Sequence, residues 1–287
     1  MEIPAGLAWL NGSEAGAKWV VALPDRVNRC VERWGLRLGP PFPSAYTSLT
    51  IPGQQRDGSD VVLKIPFPDR ESEHEALALR RWDGDGAVRL LANDPVLGAF
   101  LVERCVPGTP LSNMRQDAAL EVLVTLLPRL WKPPADLPFR PLRDEAAWWA
   151  SELRENWVRA GRPFGERLVD AALDVLNSLP QSQGEQVLLH QDLHGDNVLR
   201  AQREPWLAID PKPLVGEREF GLAPIVRSFK FGAGRQDVQH RLDRLSSELG
   251  LNRERARLWC LAQTVAWSLG SDYMERHMAT AAWLLEM

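Results

Sequence analysis

The residues best suited to chemistry lie in one stretch, His190-Gln191-Asp192-Leu193-His194-Gly195-Asp196-Asn197-Val198-Leu199, followed by Ala208-Ile209-Asp210-Pro211. An Asp, an Asn five residues later and a second Asp after a short apolar run make the set that phosphoryl transfer needs. One carboxylate accepts or orients the proton of an attacking hydroxyl. An amide oxygen and a second carboxylate hold the magnesium that bridges the phosphates. On this reading Asp192 is the first, and Asn197 and Asp210 are the metal ligands. An isolated Asp and Asn here would sooner cap a turn, because Gly195-Asp196-Asn197 is turn chemistry between two apolar runs. The arrival of Asp210 directly after Trp206-Leu207-Ala208-Ile209 tips the balance toward a site.

His190 and His194 open a competing reading, since with Asp192 and Asp196 they could hold zinc in a metal-dependent hydrolase. Histidines four residues apart bind metal from one helical face, and this segment is not helical. The alternative is that one histidine packs in the core on a backbone hydrogen bond while the other braces the loop. Lys64 sits in the apolar run Val61-Val62-Leu63-Lys64-Ile65. Strand alternation could turn it to solvent, or it could pair with a carboxylate on the next helix and reach a nucleotide's phosphates. Glu75 is the chosen partner, because its spacing to Leu79 and Trp82 sets it beside the apolar stripe of that helix. Residues 39–45, Gly39-Pro40-Pro41-Phe42-Pro43-Ser44-Ala45, stand where a phosphate loop would be. Ser44 and the amides of Ser44 and Ala45 are its candidate phosphate contacts.

The elements that must position these residues follow from periodicity and turn chemistry. Residues 34–66 read as an antiparallel meander, residues 70–82 as a helix closed by Asp83-Gly84-Asp85-Gly86, and residues 88–91 and 99–103 as strands. Cys105-Val106-Pro107-Gly108-Thr109-Pro110 is the best linker, which gives an N-terminal part of residues 1–103 and a C-terminal part of 104–287. In the latter, residues 117–130, 144–160, 165–179, 237–249, 253–269 and 272–285 carry helical periodicity. The short apolar runs 187–189, 198–199 and 206–209 read as strands too short for a core sheet. The class is therefore α+β, a small antiparallel sheet with one helix followed by a mainly helical half.

A chain of 287 residues with 45% apolar content can bury a sizeable core. A net charge of -4 offers no basic field for nucleic acid, whereas a small cationic substrate is compatible with it. Three widely spaced cysteines with no CxxC pair point to reduced, buried thiols. The absence of a leader pattern or membrane span predicts a cytoplasmic protein with no membrane partner. Of the twelve tryptophans, Trp148, Trp149 and Trp157 sit among helix formers at packing distances.

With these residues in view the chain resembles the aminoglycoside phosphotransferase-like kinases, and within them the streptomycin 6-kinase and hydroxyurea phosphotransferase branch. The resemblance runs over residues 34–227. It rests on Val62-Leu63-Lys64, Glu75-Ala76-Leu77-Ala78-Leu79-Arg80-Arg81-Trp82-Asp83-Gly84, Val88-Arg89-Leu90-Leu91, Leu101-Val102-Glu103-Arg104 with Pro107-Gly108, the loop 190–199, and Ile209-Asp210-Pro211-Lys212. It implies a bilobal protein-kinase-like fold, a nucleotide-binding lobe of residues 1–103 and a lobe of 104–287 with the catalytic loop and acceptor site. ATP and Mg²⁺ would lie between the lobes, and the γ-phosphoryl group would pass to a hydroxyl of a small molecule. The resemblance makes Lys64 the phosphate ligand fixed by Glu75, Asp192 the catalytic base, and Asn197 and Asp210 the magnesium ligands. Glu103 to Val106 become the hinge, so that Glu103 and Cys105 meet adenine through their backbone. Helices of residues 112–180 and the C-terminal ones would wall the acceptor pocket. Gly221 stands where many members of the wider family have Asp, and the loop 39–45 lacks a GxGxxG pattern. An aminocyclitol such as streptomycin, and with it antibiotic resistance, fits the branch, with Asp196, Glu217 and Glu219 as candidates for an acidic pocket. A kinase of another sugar, amino alcohol or hydroxyurea-like metabolite, and a non-catalytic nucleotide-sensing pseudokinase, are the alternatives.

Overall fold

Strand alternation organises the N-terminal half of the computed structural model, which describes residues 3–43 and 46–287. The chain divides into two units, Met1–Gly108 with Ala201–Leu207, and Thr109–Arg200 with Ala208–Met287. In the first, helix α1 (Glu14–Trp34) begins where the Ser13 hydroxyl accepts the Gly16 N–H and ends at Gly35, whose φ of 62° needs a glycine. Strands β1 (Arg37–Leu38), β2 (Ser48–Gln54) and β3 (Asp60–Pro66) follow. Then come α2 (Glu75–Trp82), β4 (Leu90–Asp94) and β5 (Ala99–Glu103). The five strands form one antiparallel sheet in the order β1-β2-β3-β5-β4.

One face of that sheet, carrying Leu49, Ile51, Val61, Leu63, Ile65, Ala99 and Leu101, shares a core with Trp19, Leu23, Val27 and Cys30 of α1. Because side chains alternate along a strand, Lys64 lies on the opposite face, in register with Thr50 on β2 and Phe100 on β5. No helix was expected before Trp34, yet α1 covers the sheet. Its four core residues recur at helical spacing, with the exposed Pro24 lying off that stripe inside the helix. The helix expected over 70–82 starts only at Glu75. Asp69 Oδ1 accepts the N–H groups of Glu71 and Ser72, and Ser72 Oγ donates to the Phe67 carbonyl, so side chains hold a turn in place of the first helical turn.

The second unit is mainly helical. Its helices are α3 (Gln116–Leu130), α4 (Leu142–Arg159), α5 (Glu166–Ser178), α6 (Ala223–Val226), α7 (Arg235–Glu248), α8 (Arg253–Ser268) and α9 (Met274–Glu286). All six periodic runs predicted from sequence coincide with α3, α4, α5, α7, α8 and α9 to within about two residues at each end. Between them lie strands β6 (Arg140–Pro141), β7 (Gln186–Leu189), β8 (Val198–Arg200), β9 (Trp206–Ala208) and β10 (Leu214–Glu217). The expectation that these runs make no core sheet is corrected for β7, which pairs antiparallel with β10, itself parallel to β6. Residues 214–217, Leu214-Val215-Gly216-Glu217, do not alternate and are too few to announce a strand. Strands β8 and β9 form a hairpin.

Glu217, a candidate for an acidic acceptor pocket, is instead part of this scaffold. It is 1% exposed, and its carboxylate accepts from Arg255 Nη2 at 2.8 Å, from Arg255 Nε at 3.0 Å and from the indole N–H of Trp259. Trp149 and Trp157 are buried, whereas Trp148 on the same helix is 43% exposed. Cys30 and Cys260 are buried, and burial raises both thiols well above the ordinary range, Cys30 to about 11. Among the described residues no helix is long and apolar enough to cross a membrane. Removing the Glu217 carboxylate strands the buried Trp259 indole donor and loosens the partly exposed Arg255, so Glu217→Ala should lose about 1–3 kcal/mol, read as a lower Tm and denaturation midpoint.

Candidate active site

In the first unit, the face of β3 opposite α1 presents Lys64, 6% exposed, to Glu75 at the start of α2, 3% exposed. Lys64 Nζ lies 2.5 Å from Glu75 Oε1 and 5.9 Å from the centre of the Phe100 ring. A lysine buried on a sheet needs such a counter-charge, and the ion pair fixes the ammonium at one place on the strand.

Glu103, at the end of β5, donates its N–H to Arg89. Its carboxylate is engaged by Arg203 at 2.6 Å and by the Arg89 N–H at 2.8 Å. The side chain is thus a strut within the first unit. The Cys105 thiol, half-buried, is pushed up to about 12 by burial and then by Glu103. In the loop 39–43 the N–H groups of Gly39 and Phe42 donate to Pro52 and Thr50, and the three other residues are prolines. That part of the loop therefore keeps no N–H for a phosphate. Ser44 and Ala45 lie outside the described residues.

In the second unit, β7 delivers the chain into the 190–197 loop, and Ala208, the last residue of β9, leads into Asp210. Backbone bonds lock these two segments together. Ile209 N–H donates to Asn197 O at 2.9 Å, His190 Nε2 meets Ile209 O at 2.9 Å, and Lys212 N–H donates to His190 O at 3.0 Å. The Asn197 side-chain amide donates to the Asp192 carbonyl at 2.9 Å. Its nitrogen is thereby committed and its oxygen is the end left to face a cation. That oxygen and the Asp210 carboxylate are hard donors of the kind that Mg²⁺ takes, so these residues fit the ion. Gln191 and Asp210 have φ of 63° and 56°, a region that residues other than glycine rarely enter and that is concentrated at functional sites.

Asp192 is 8% exposed. Its Oδ2 lies 3.3 Å from Lys212 Nζ, and its Oδ1 lies 3.7 Å from Arg227 Nη2 and 3.9 Å from His194 Nε2. Burial pushes the carboxyl up, but Lys212, His194 and Arg227 together outweigh it and hold the group below its ordinary value. It is an ionised carboxylate. Arg227 stands on the segment 226–232, whose carbonyls at Val226, Phe231 and Gly232 accept from the fully buried Arg241. Gly195 sits where a Cβ would come within 2.5 Å of the Phe231 ring and 3.0 Å of the Ser112 backbone, so the loop closes only over glycine.

The zinc alternative does not assemble. Among the described residues no group of three or more His, Cys, Asp or Glu side chains is placed to share a metal ion. His190 bonds Ile209, and His194 Nδ1 accepts the Asp196 N–H at 3.3 Å, so the histidines act as braces. Asp196 is held by Ser112 Oγ and by Lys230 at 3.1 Å, and Glu219 accepts the Asn252 N–H. Sequence reasoning named Lys212 as part of a motif without giving it a role, and passed over Arg227, Gln263 and Trp267. The available signal was a glutamine within the buried stripe of α8, at helical spacing between Trp259 and Trp267.

A sheet-and-helix unit with a buried lysine–glutamate pair, and a helical unit with an Asp, Asn and Asp on two tied loops, define a phosphotransferase of protein-kinase-like fold. The model of the aminoglycoside/hydroxyurea antibiotic resistance kinase family matches residues 33–270, and the chain belongs to that family. It is 40% identical to the hydroxyurea phosphotransferase of Kitasatospora aureofaciens, over 99% of this chain and 86% of the relative. It is 36% identical to the streptomycin 6-kinase of Streptomyces griseus, over 94% and 91%. Among solved structures, the choline kinase LicA of Streptococcus pneumoniae shares the fold, with a TM-score of 0.66 and 14% identity over 92% of this chain and 99% of that one.

Burial lowers the His190 imidazole to about 4, opposed by Asp192 and the bond to Ile209. The unfolded chain, titrating near 6.5, therefore takes up a proton that the native state refuses. Stability contributed by neutral His190 is complete above about pH 6.5 and is lost as pH falls toward about 4, at about 1.4 kcal/mol per unit. Unfolding midpoints of the wild type should fall more steeply across that window than those of His190→Gln.

Proposed function

We propose that this protein transfers the γ-phosphoryl group of ATP, with Mg²⁺, to a hydroxyl of an aminoglycoside-like small molecule. The observation that carries the proposal is the buried, ionised Asp192, tied through its own carbonyl to Asn197 and through the loop backbone to Asp210. In this scheme Asp192 orients the acceptor hydroxyl and takes its proton, which requires a carboxylate already ionised at neutral pH. Lys64, held by Glu75, binds phosphate oxygens from the first unit, and the backbone at Glu103 and Cys105 meets adenine. Asn197 and Asp210 hold Mg²⁺, which when bound supplies positive charge to the phosphate oxygens. Positioning and charge, with no covalent step on the protein, carry the reaction.

The acceptor rests on the relatives, of which two act by name on streptomycin or hydroxyurea. A cationic aminocyclitol finds one carboxylate within easy reach on the second unit. Asp196 is 39% exposed and paired with the 48% exposed Lys230, and such pairs are worth about 0–1 kcal/mol, so an incoming ammonium or guanidinium can replace the lysine. Glu217 offers no such exchange. A hydroxyurea-like acceptor is the second reading, favoured by the higher identity of the phosphotransferase named for it. The need for ATP fits a cytoplasmic site of action, and the complete set of Lys64, Glu75, Asp192, Asn197 and Asp210 argues against a pseudokinase.

The test is acceptor-dependent ADP release with streptomycin, hydroxyurea, amino alcohols and sugars, with and without Mg²⁺. Chelation should abolish turnover, and Asp192→Asn should lower it about 10²–10⁴-fold in protein that still melts cooperatively. An Asp192→Asn protein that phosphorylates its acceptor at the full rate sinks the assignment.

A further inference from the structure

We propose that Gln263 and Trp267 are positioning residues of the transfer reaction, a bracket on α8 that fixes the two cations facing Asp192 and ties down the loop before it. The inference rests on the phosphotransfer reading above. Gln263 and Trp267 are four residues apart, so both project from one side of the helix. Gln263 is fully buried, its Oε1 accepts Arg227 Nη1 at 3.3 Å, and its Nε2 donates to the Gln191 carbonyl at 3.3 Å. One turn further, the guanidinium carbon of Arg227 lies 4.7 Å from the centre of the Trp267 ring, and Lys212 Nζ lies 4.9 Å from it. These are the same two cations that face separate oxygens of Asp192. One indole therefore sets the position of both.

The chemistry of the contacts says why these residue types are used. A guanidinium stacked on a ring keeps its N–H edge directed outward, here toward Gln263 and Asp192, and an ammonium is drawn to a π face that an aliphatic side chain does not offer. Gln191 carries the left-handed φ of 63°, and its own side-chain amide makes no hydrogen bond among the described residues. The bond from Gln263 to its carbonyl is thus the tie from α8 to the residue preceding Asp192. Without the bracket Arg227 and Lys212 keep their charge but lose their fixed places, and Asp192 loses its fixed orientation toward a hydroxyl.

The experiment compares Trp267→Phe, Trp267→Leu and Gln263→Leu by ADP release with MgATP and streptomycin or hydroxyurea, with Tm measured beside each. Trp267→Leu should lower kcat about tenfold, with KM for ATP within about twofold, and Trp267→Phe should restore most of it because a π face returns. In a Lys212→Met, Arg227→Met background, Trp267→Leu should change the remaining kcat by less than about twofold, since the groups it acts through are gone. Equal kcat for the Phe and Leu proteins, or an undiminished tenfold effect in the double background, overturns the bracket and leaves the ring as filler. Asp192→Asn in the same assay separates the claims. Full activity there removes the phosphotransfer reading and the bracket with it, whereas an inactive Asp192→Asn beside an unimpaired Trp267→Leu overturns the bracket alone.

Discussion

A carboxylate that must stay charged while buried is the constraint from which the second unit can be understood. Stranding an ion away from water costs several kcal/mol, more than any one neighbour returns. A cation over a ring contributes about 0.5–2 kcal/mol and a hydrogen bond to a charged group about 1.5–3 kcal/mol. Several supports are needed together, and each has to be supported in turn. Lys212 and Arg227 face Asp192, Trp267 lies under both, Gln263 holds Arg227, and Arg241 gathers the carbonyls of the segment that carries it. Arg241 is itself a buried charge, pushed down to about 10 by burial, and it donates to the carbonyls of Val226, Phe231 and Gly232 and to Gln116 Oε1 at 2.6 Å. The reactive group is therefore the last member of a chain of compensated charges that begins deep in the helical unit.

The first unit meets the same constraint with fewer parts. Lys64 and Glu75 compensate one another inside the fold, at a net gain in stability near zero because desolvating both ions offsets their attraction. What the pair provides is placement. The β3 strand is fixed by Val61, Leu63 and Ile65 in the core under α1, and a slip of one residue would exchange that face for the one bearing Lys64. Register thus decides which face carries the ammonium, and Glu75 decides where on that face it stops.

Local pattern and long-range order contributed differently to what could be read from the chain. The helices α3, α4, α5, α7, α8 and α9 were legible because each buries one stripe at helical spacing. The 190–210 segment was legible because turn residues alternate with apolar runs. Helix α1 was not read from the sequence although its core residues are regularly spaced and Pro24 lies off their stripe. The start of α2 was misplaced because Asp69 and Ser72 prefer their own backbone to a helical turn. Strand β10 has no signal of its own, and pairing with β7 makes it a strand. Residues such as Arg227 and Arg241 could not be assigned, since an arginine is surface-seeking by type and only the carbonyls and rings brought in from other elements make burial tolerable. Glu217 was misread for the converse reason, its partners being 38 and 42 residues away.

Helix α8 shows how one element serves both the scaffold and the chemistry. Arg255, Trp259, Gln263 and Trp267 recur at every fourth position and so share one stripe. The first two hold Glu217, the end of β10 that pairs with Gln186 at the start of β7. The last two hold Arg227, Lys212 and Gln191, at the other end of the same strand pair, where Leu214 meets Leu189 and the chain turns into the catalytic loop. Side chains of α8 thus reach residues at both ends of that strand pair, and the rise of an α-helix, about 1.5 Å per residue, sets the spacing between the two anchorages. Any shift of α8 along its axis that relieved one end would displace the other. Rigidity at Asp192 is thus obtained from the anchorage at Glu217, a contact far from the reaction in function yet on the same side of the same helix.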